Sequence, residues 1–374
     1  MDAHTYRSML SRSLLWPRTN ARLLHQVRAM QECSQRLHRF LFLGGSITSG
    51  YTPEGLLTDD NYPCRVTQAC RSHIPGPIEM TNLGMSSYNS DMGLASAAME
   101  LERSTPTTVF VEFAVNNGFY KASADSFESL IRKLLLHDEA MAVIIVCTCL
   151  ESGYTCEPYM AEIAQHYDLP LVSVKSAWEY GKEHGMQWSD YSWDHAHPTS
   201  EGHRLLADAI LHLLDETAAS TGRSGEAAGA SPPLLPVPAP CGFGNSLENL
   251  RYVDHRTLSV TSADGFEPSE THERFPYGWR YRRGSGGSLT FSTRCTKLFI
   301  VYELSHEEHG YGELAVQVDG AEAAKLNGMS LYGWHNPVCA QVMDGHQPEV
   351  HEVVLRMAAG SEQLDFVLLG VLIA

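Results

Sequence analysis

The hydrophobic pattern of this chain changes period once, across residues 217–240, and that change decides what it can fold into. Before it, short continuous apolar runs alternate with helix-like segments. The first run, Arg39-Phe40-Leu41-Phe42-Leu43, stops at Gly44-Gly45, and others follow near 78–83, 108–115, 141–149 and 170–175. An apolar run bounded by glycine describes a strand covered on both faces, as in a parallel sheet. Between the runs lie amphipathic segments such as 126–136, with Phe127, Leu130, Ile131 and Leu134. The last, 200–215, places Leu205, Leu206, Ala209, Ile210, Leu213 and Leu214 on one face. Residues 20–38 predict a further helix. This alternation implies a three-layer α/β/α fold around a doubly wound parallel sheet.

Residues 217–240 are rich in Ala, Ser, Gly and Pro, and end in Pro232, Pro233, Pro236, Pro238 and Pro240, which is linker composition. Beyond them the period is two. Segments 289–292, 297–304, 313–318, 351–357 and 364–369 read as strands joined by polar turns such as Asp319-Gly320. An antiparallel β-sandwich of jelly-roll type is expected there. The expected divisions are a helical extension at 1–37, an α/β domain at 38–216, a linker at 217–240 and the sandwich at 241–374.

The charge balance narrows the partners. Twenty-seven Lys and Arg face 44 Asp and Glu, a formal charge of −17. Such a field repels phosphate backbones and anionic lipid, so nucleic acid and membrane surfaces are not expected partners. No apolar run approaches the roughly 20 residues of a membrane span. The start, Met1-Asp2-Ala3-His4, lacks the basic-then-apolar pattern of a secretory signal. The nine cysteines are odd in number and scattered, two of them (Cys147 and Cys149) inside an apolar run, and none forms a Cys-x-x-Cys pair. They read as small buried hydrophobes in a reducing compartment, the cytoplasm.

Three separated segments carry groups able to do chemistry, each just past the carboxyl end of an expected strand, where α/β sheets place ligands. In Gly44-Gly45-Ser46-Ile47-Thr48, the glycines let the backbone turn tightly and lift the serine hydroxyl. A phosphate-gripping loop would need Lys-Ser/Thr after the glycines, and a dinucleotide fingerprint would need Gly-x-Gly-x-x-Gly; neither is present. Taken alone, Gly-Gly-Ser is as well explained by an ordinary turn. In Glu112-Phe113-Ala114-Val115-Asn116-Asn117, the Asn116 amide could reach the same crevice or merely turn the chain. In Asp194-His195-Ala196-His197-Pro198, a carboxylate three residues before a histidine can accept from one imidazole nitrogen and free the other to take a serine proton. A metal site would instead use His195 and His197 with Asp194 or His203, but no cysteine or glutamate cluster accompanies them. His306-Glu307-Glu308-His309 has the wrong spacing for a helical zinc motif and reads as a polar loop.

With these motifs in this order, residues 38–215 resemble the SGNH/GDSL hydrolases, closest to the bacterial branch with Gly-Gly-Ser-Ile-Thr and Glu-Phe-Ala-Val-Asn blocks. The resemblance implies Ser46 as nucleophile, Asp194 and His197 as its proton-handling partners, and Ser46, Ser87 and Asn116 as oxyanion donors, with no cofactor and no metal. The family's second block appears as Asn82-Leu83-Gly84-Met85-Ser86-Ser87. Three positions depart from the family pattern: Gly45 replaces an Asp, Asn117 replaces an Asp, and Ser87 replaces a glycine whose N–H helps bind the oxyanion.

The α/β-plus-sandwich order resembles esterases that deacetylate plant-glycan oligosaccharides. The resemblance therefore implies a carbohydrate O-acetyl esterase acting on acetylated oligosaccharides such as mannan or xylan fragments, in some relatives as a homodimer. Trp188, Tyr191 and Trp193 precede Asp194, and Trp279 and Trp334 lie beside Tyr277 and Tyr332; these aromatics are either sugar platforms or packing residues. Two other functions compete. A lipid-directed acylhydrolase or thioesterase would want a broad aliphatic groove, and a glycan-binding protein on a decayed scaffold would fit the departures at Ser87 and Asn117.

Overall fold

The computed structural model describes residues 1–15, 20–32, 34–221, 233–270, 272–306 and 310–374. They form two compact units, Met1–Glu248 and Asn249–Ala374. Among the described residues no helix is long and apolar enough to cross a membrane.

In the first unit the helices are α1 (Ala3–Ser13), α2 (Ala21–Glu32), α3 (Ser46–Ser49), α4 (Tyr62–His73), α5 (Ser90–Leu101), α6 (Lys121–His137), α7 (Glu157–His166), α8 (Val174–Glu183), α9 (Trp188–Tyr191) and α10 (Ser200–Thr221). The strands are β1 (His38–Gly44), β2 (Tyr51–Thr52), β3 (Gly55–Leu56), β4 (Ile78–Asn82), β5 (Thr108–Glu112), β6 (Ala142–Cys147) and β7 (Leu171–Ser173). β2 and β3 pair as a small hairpin; the other five form one parallel sheet in the order β4-β1-β5-β6-β7. The near-continuous burial of β1, β5, β6 and β7 explains their unbroken apolar runs, β5 and β6 being buried at every position, whereas β4 at the sheet edge is buried only at Ile78. This order reverses between β1 and β5, the switch point where such sheets open a crevice at the carboxyl ends of their strands.

The first 37 residues are not an appendage. Met9, Leu14, Leu23, Val27 and Met30 are buried in the same core as Phe42, Phe110, Ile144 and the apolar face of α10. α2 ends at Glu32 rather than 38, because the chain turns at Ser34-Gln35 to enter β1. α10 runs beyond 215 to Thr221, through the helix-favouring Ala218 and Ala219. Of the expected linker, residues 222–232 lie outside the described residues, and 233–240 do not act as a free spacer. Residues 233–248 run along the first unit. Buried Glu128 on α6 accepts from Cys241 N–H (2.6 Å) and Gly244 N–H (2.7 Å). Arg132 donates to the Pro238 carbonyl (2.6 Å) and pairs with Glu248. These bonds explain why the second unit begins at Asn249 rather than 241.

The second unit contains β8 (Arg251–Val253), β9 (Val260–Ala263), β10 (Phe266–Ser269), β11 (Gly278–Tyr281), β12 (Ser288–Ser305), β13 (Glu313–Val318), β14 (Ala321–Asn327), β15 (Trp334–Met357) and β16 (Val367–Ile373). All pair antiparallel in one nine-stranded network. The expected segments 289–292 and 297–304 are one strand, β12, irregular between Cys295 and Lys297. Its first half pairs with β9 and the end of β15; its second pairs with β16 and the start of β15. The two long strands thus serve both layers of the all-β unit. They enclose a core that joins Leu289, Phe291 and Val353 to Leu298, Ile300 and Leu368.

Candidate active site

The reversal of strand order sets the carboxyl ends of β1 and β5 side by side, with Gly44 registered against Glu112. Immediately after β1, Ser46 heads the single turn α3, and Gly50 closes it at φ +84, a conformation suited to glycine. A Cβ on Gly44 would meet Thr48 Oγ1 at 1.9 Å, and one on Gly45 would meet Asn116 Oδ1 at 2.3 Å. Both glycines are therefore required by close approach. Gly45, where the family pattern has Asp, makes room for Asn116.

The block after β4 is fastened to this turn. Asn82 Nδ2 donates to the Thr48 carbonyl (2.9 Å), Met85 N–H donates to the Gly44 carbonyl (3.2 Å), and Gly84 lies against Thr48 and Ser49. Ser87, two residues on, has φ +66, so it holds a left-handed conformation that glycine would adopt freely. The N–H groups of Ser46 and Ser87 and the Asn116 amide form no hydrogen bond with any described residue, and Asn116 Oδ1 is buried without a partner. Donors without protein partners are what an anionic oxygen needs.

The third segment brings an imidazole to the serine. His197 Nε2 lies 2.9 Å from Ser46 Oγ, and its Nδ1 lies 2.8 Å from Asp194 Oδ2. Asp194 Oδ1 accepts from the backbone N–H groups of Ala196 and His197, both at 2.8 Å. Burial alone would raise the Asp194 carboxyl, but the hydrogen bonds from His197 and Ala196 outweigh it and hold the pKa below its ordinary value. The loop itself is pinned: Trp193 N–H and Ser192 Oγ both donate to the His197 carbonyl at 2.8 Å.

The remaining histidines do not converge on Asp194. His195 faces Glu151 at 3.7 Å. His203 is buried; its Nδ1 accepts the Tyr62 N–H at 3.3 Å, and burial pushes its pKa down to about 4. Among the described residues no group of three His, Cys, Asp or Glu side chains gathers as a metal site would. Of His306-Glu307-Glu308-His309, residues 307–309 lie outside the described residues. Asn117 is a brace: buried, it accepts from Ser90 N–H (2.9 Å) and donates to Ser90 Oγ (3.0 Å) and Tyr159 Oη (2.9 Å). An aspartate could not make both donations.

The aromatic candidates divide by burial. Tyr191 is buried in the core, and Trp188 packs against that core while its indole N–H donates to the Asp194 carbonyl at 2.6 Å. Both act as supports of the Asp194 loop rather than as ligand platforms. Trp279 is 2% exposed, inside the β core with Phe266 and Tyr281, so no face remains for a sugar. Trp193 and Trp334 are exposed, at 55% and 48%. Sequence reasoning missed Tyr51, whose ring lies 4.6 Å from the His197 imidazole, centroid to centroid. Its only sequence signal is an aromatic just past the nucleophile turn. It also missed the buried carboxylate of Glu112, which reads in sequence as the tail of an apolar strand.

Comparison with known proteins bears on the fold of the chain. Residues 42–205 match the GDSL-like lipase/acylhydrolase family model. No curated protein matches the chain significantly in sequence. Two crystal structures of a two-domain esterase active on acetylated mannans share its fold. One is 23% identical with a TM-score of 0.82; the other, co-crystallized with mannopentaose, is 22% identical with a TM-score of 0.81. Each comparison covers 97% of both chains. Over residues 42–205, the α/β unit of this chain is therefore similar to the GDSL-like lipase/acylhydrolase family.

Proposed function

We propose that this chain is a serine esterase that removes O-acetyl groups from carbohydrates, with acetylated oligosaccharides as its substrates. The observation that carries the reading is the unbroken relay from Ser46 Oγ through His197 to Asp194, at 2.9 and 2.8 Å. Ser46 Oγ attacks the ester carbonyl carbon as its proton passes to His197 Nε2. Asp194 holds the imidazole in the required tautomer and stabilises the imidazolium that forms. The carbonyl oxygen becomes an oxyanion, held by Ser46 N–H, Ser87 N–H and the Asn116 amide; one such donor is worth about 3–4 kcal/mol. The bond to the sugar oxygen breaks, and that oxygen takes the proton from His197. Water then gives a proton to His197 as it attacks the acyl carbon, and His197 returns that proton to Ser46 Oγ as the serine–acyl bond breaks and acetate leaves. No metal or organic cofactor enters any step.

The substrate class rests on two supports: the shared fold with esterases active on acetylated mannans, and exposed aromatics beside the relay. Trp193 adjoins Asp194 and Tyr51 lies against His197, so both would offer ring faces to a pyranose. Eight cysteines among the described residues are free, which supports a reducing, cytoplasmic setting. Mass spectrometry of acetylated mannan and xylan oligosaccharides, before and after incubation, tests the reading. Wild type should strip acetyl groups, and Ser46→Ala, folded, should leave them. Undiminished hydrolysis by Ser46→Ala would refute it. A preference for long acyl chains in a nitrophenyl ester series would point to a lipid substrate instead.

A further inference from the structure

Glu112 ends β5, fully buried directly behind the nucleophile turn, and the relay does not use it. Its carboxylate accepts from Thr148 Oγ1 (2.7 Å) and from Thr48 Oγ1 (3.1 Å), and the Gly45 N–H is a third group that lowers its pKa. Thr48 Oγ1 is in turn 2.9 Å from the hydroxyl of Tyr62, which is also fully buried. A buried carboxyl is costly: burial pushes its pKa up against three donors that lower it. An apolar side chain of similar size would avoid that cost among the buried residues of β5, so the carboxyl calls for a role that a hydrocarbon cannot fill.

Its partners supply that role. Thr48 lies two residues past Ser46 in the same single turn, so the carboxylate holds the turn through the Thr48 hydroxyl, and the Gly45 N–H just before the serine favours its charged form. Gly44 and Gly84 leave the turn no room to shift, since a Cβ at 84 would lie 2.5 Å from Ser49 N. We propose that Glu112 is a positioning residue, which through the Thr48 hydroxyl fixes the turn that sets the Ser46 oxygen against His197 and its N–H against the oxyanion. The inference rests on Ser46 being the nucleophile.

The test compares full-length wild type, Glu112→Met, Glu112→Gln and Ser46→Ala with nitrophenyl acetate and with a fluorophosphonate label. Glu112→Met roughly keeps the volume and removes the acceptor of the Thr148 and Thr48 hydroxyls, leaving Thr48 only its Tyr62 partner. Its kcat should fall about 100-fold, the scale of a small misplacement of a reacting group. KM should stay unchanged and labelling should slow in parallel. Glu112→Gln, which restores acceptor and donor atoms, should recover at least about tenfold of that loss. A Glu112→Met protein that melts cooperatively with wild-type kcat, or that changes KM alone, would overturn the proposal. If Glu112→Met does not fold, Thr48→Val carries the same expectation: lower kcat at constant KM supports it, and wild-type kcat overturns it. Turnover by Ser46→Ala would remove the nucleophile and its positioning together, whereas an inert Ser46→Ala beside a fully active Glu112→Met overturns the positioning alone.

Discussion

Ser87 shows how one backbone angle can separate a position's cost from its use. At φ +66 a side chain is held where the left-handed conformation costs about 1–2 kcal/mol. Glycine would relieve that strain but give back part of the gain, about 0.4–1 kcal/mol, through a more flexible unfolded chain. Ser87→Gly should therefore stabilise the protein by about 0.5–1 kcal/mol, read as a higher melting temperature, while the N–H stays in place. A lower melting temperature would mean that the hydroxyl makes a contact worth more than the strain. At this scale the sequence showed the groups proposed to react and hid those proposed to hold them. Ser46, Asp194 and His197 sit in short, spaced blocks whose chemistry is local. Glu112, Thr48 and Tyr62 meet only because β5, α3 and α4 converge, and no spacing in the sequence encodes that meeting.

Among the elements, the turn between β1 and α3 depends most on small residues. A methyl at Gly45 would lie 2.3 Å from Asn116 Oδ1, so the Asn116 amide would have to move. Gly45→Ala should therefore lose the value of one oxyanion donor, about 3 kcal/mol or roughly 100-fold in kcat, with little change in melting temperature. Unchanged kcat would show that the amide is not required where it stands. The central strands were legible because each is covered on both faces and so reads as an unbroken apolar run. Helix ends were less so: α10 continues to Thr221 through residues that composition alone assigns to a linker. The break expected between 289–292 and 297–304 is an irregularity inside β12, where Cys295 stays buried and the chain keeps pairing with β15.

For the whole molecule, composition marked the shift between two units but not its position. Pro- and Gly-rich chain resembles a spacer, yet residues 233–248 satisfy Glu128 and Arg132, charged groups buried on α6. A chain of residues 1–248 should fold cooperatively by itself, having its own core. One cut at 240 leaves Glu128 and Arg132 short of partners and should be less stable by about 3 kcal/mol, read by chemical denaturation. Equal stability of the two would mean that the strap contributes nothing. The reaction itself is tested most directly by where a fluorophosphonate attaches. Peptide mapping of the labelled full-length chain should place the adduct on Ser46, and His197→Ala should slow its formation by at least about 100-fold. Label on another residue, or a His197→Ala chain labelled at the wild-type rate, would contradict the relay.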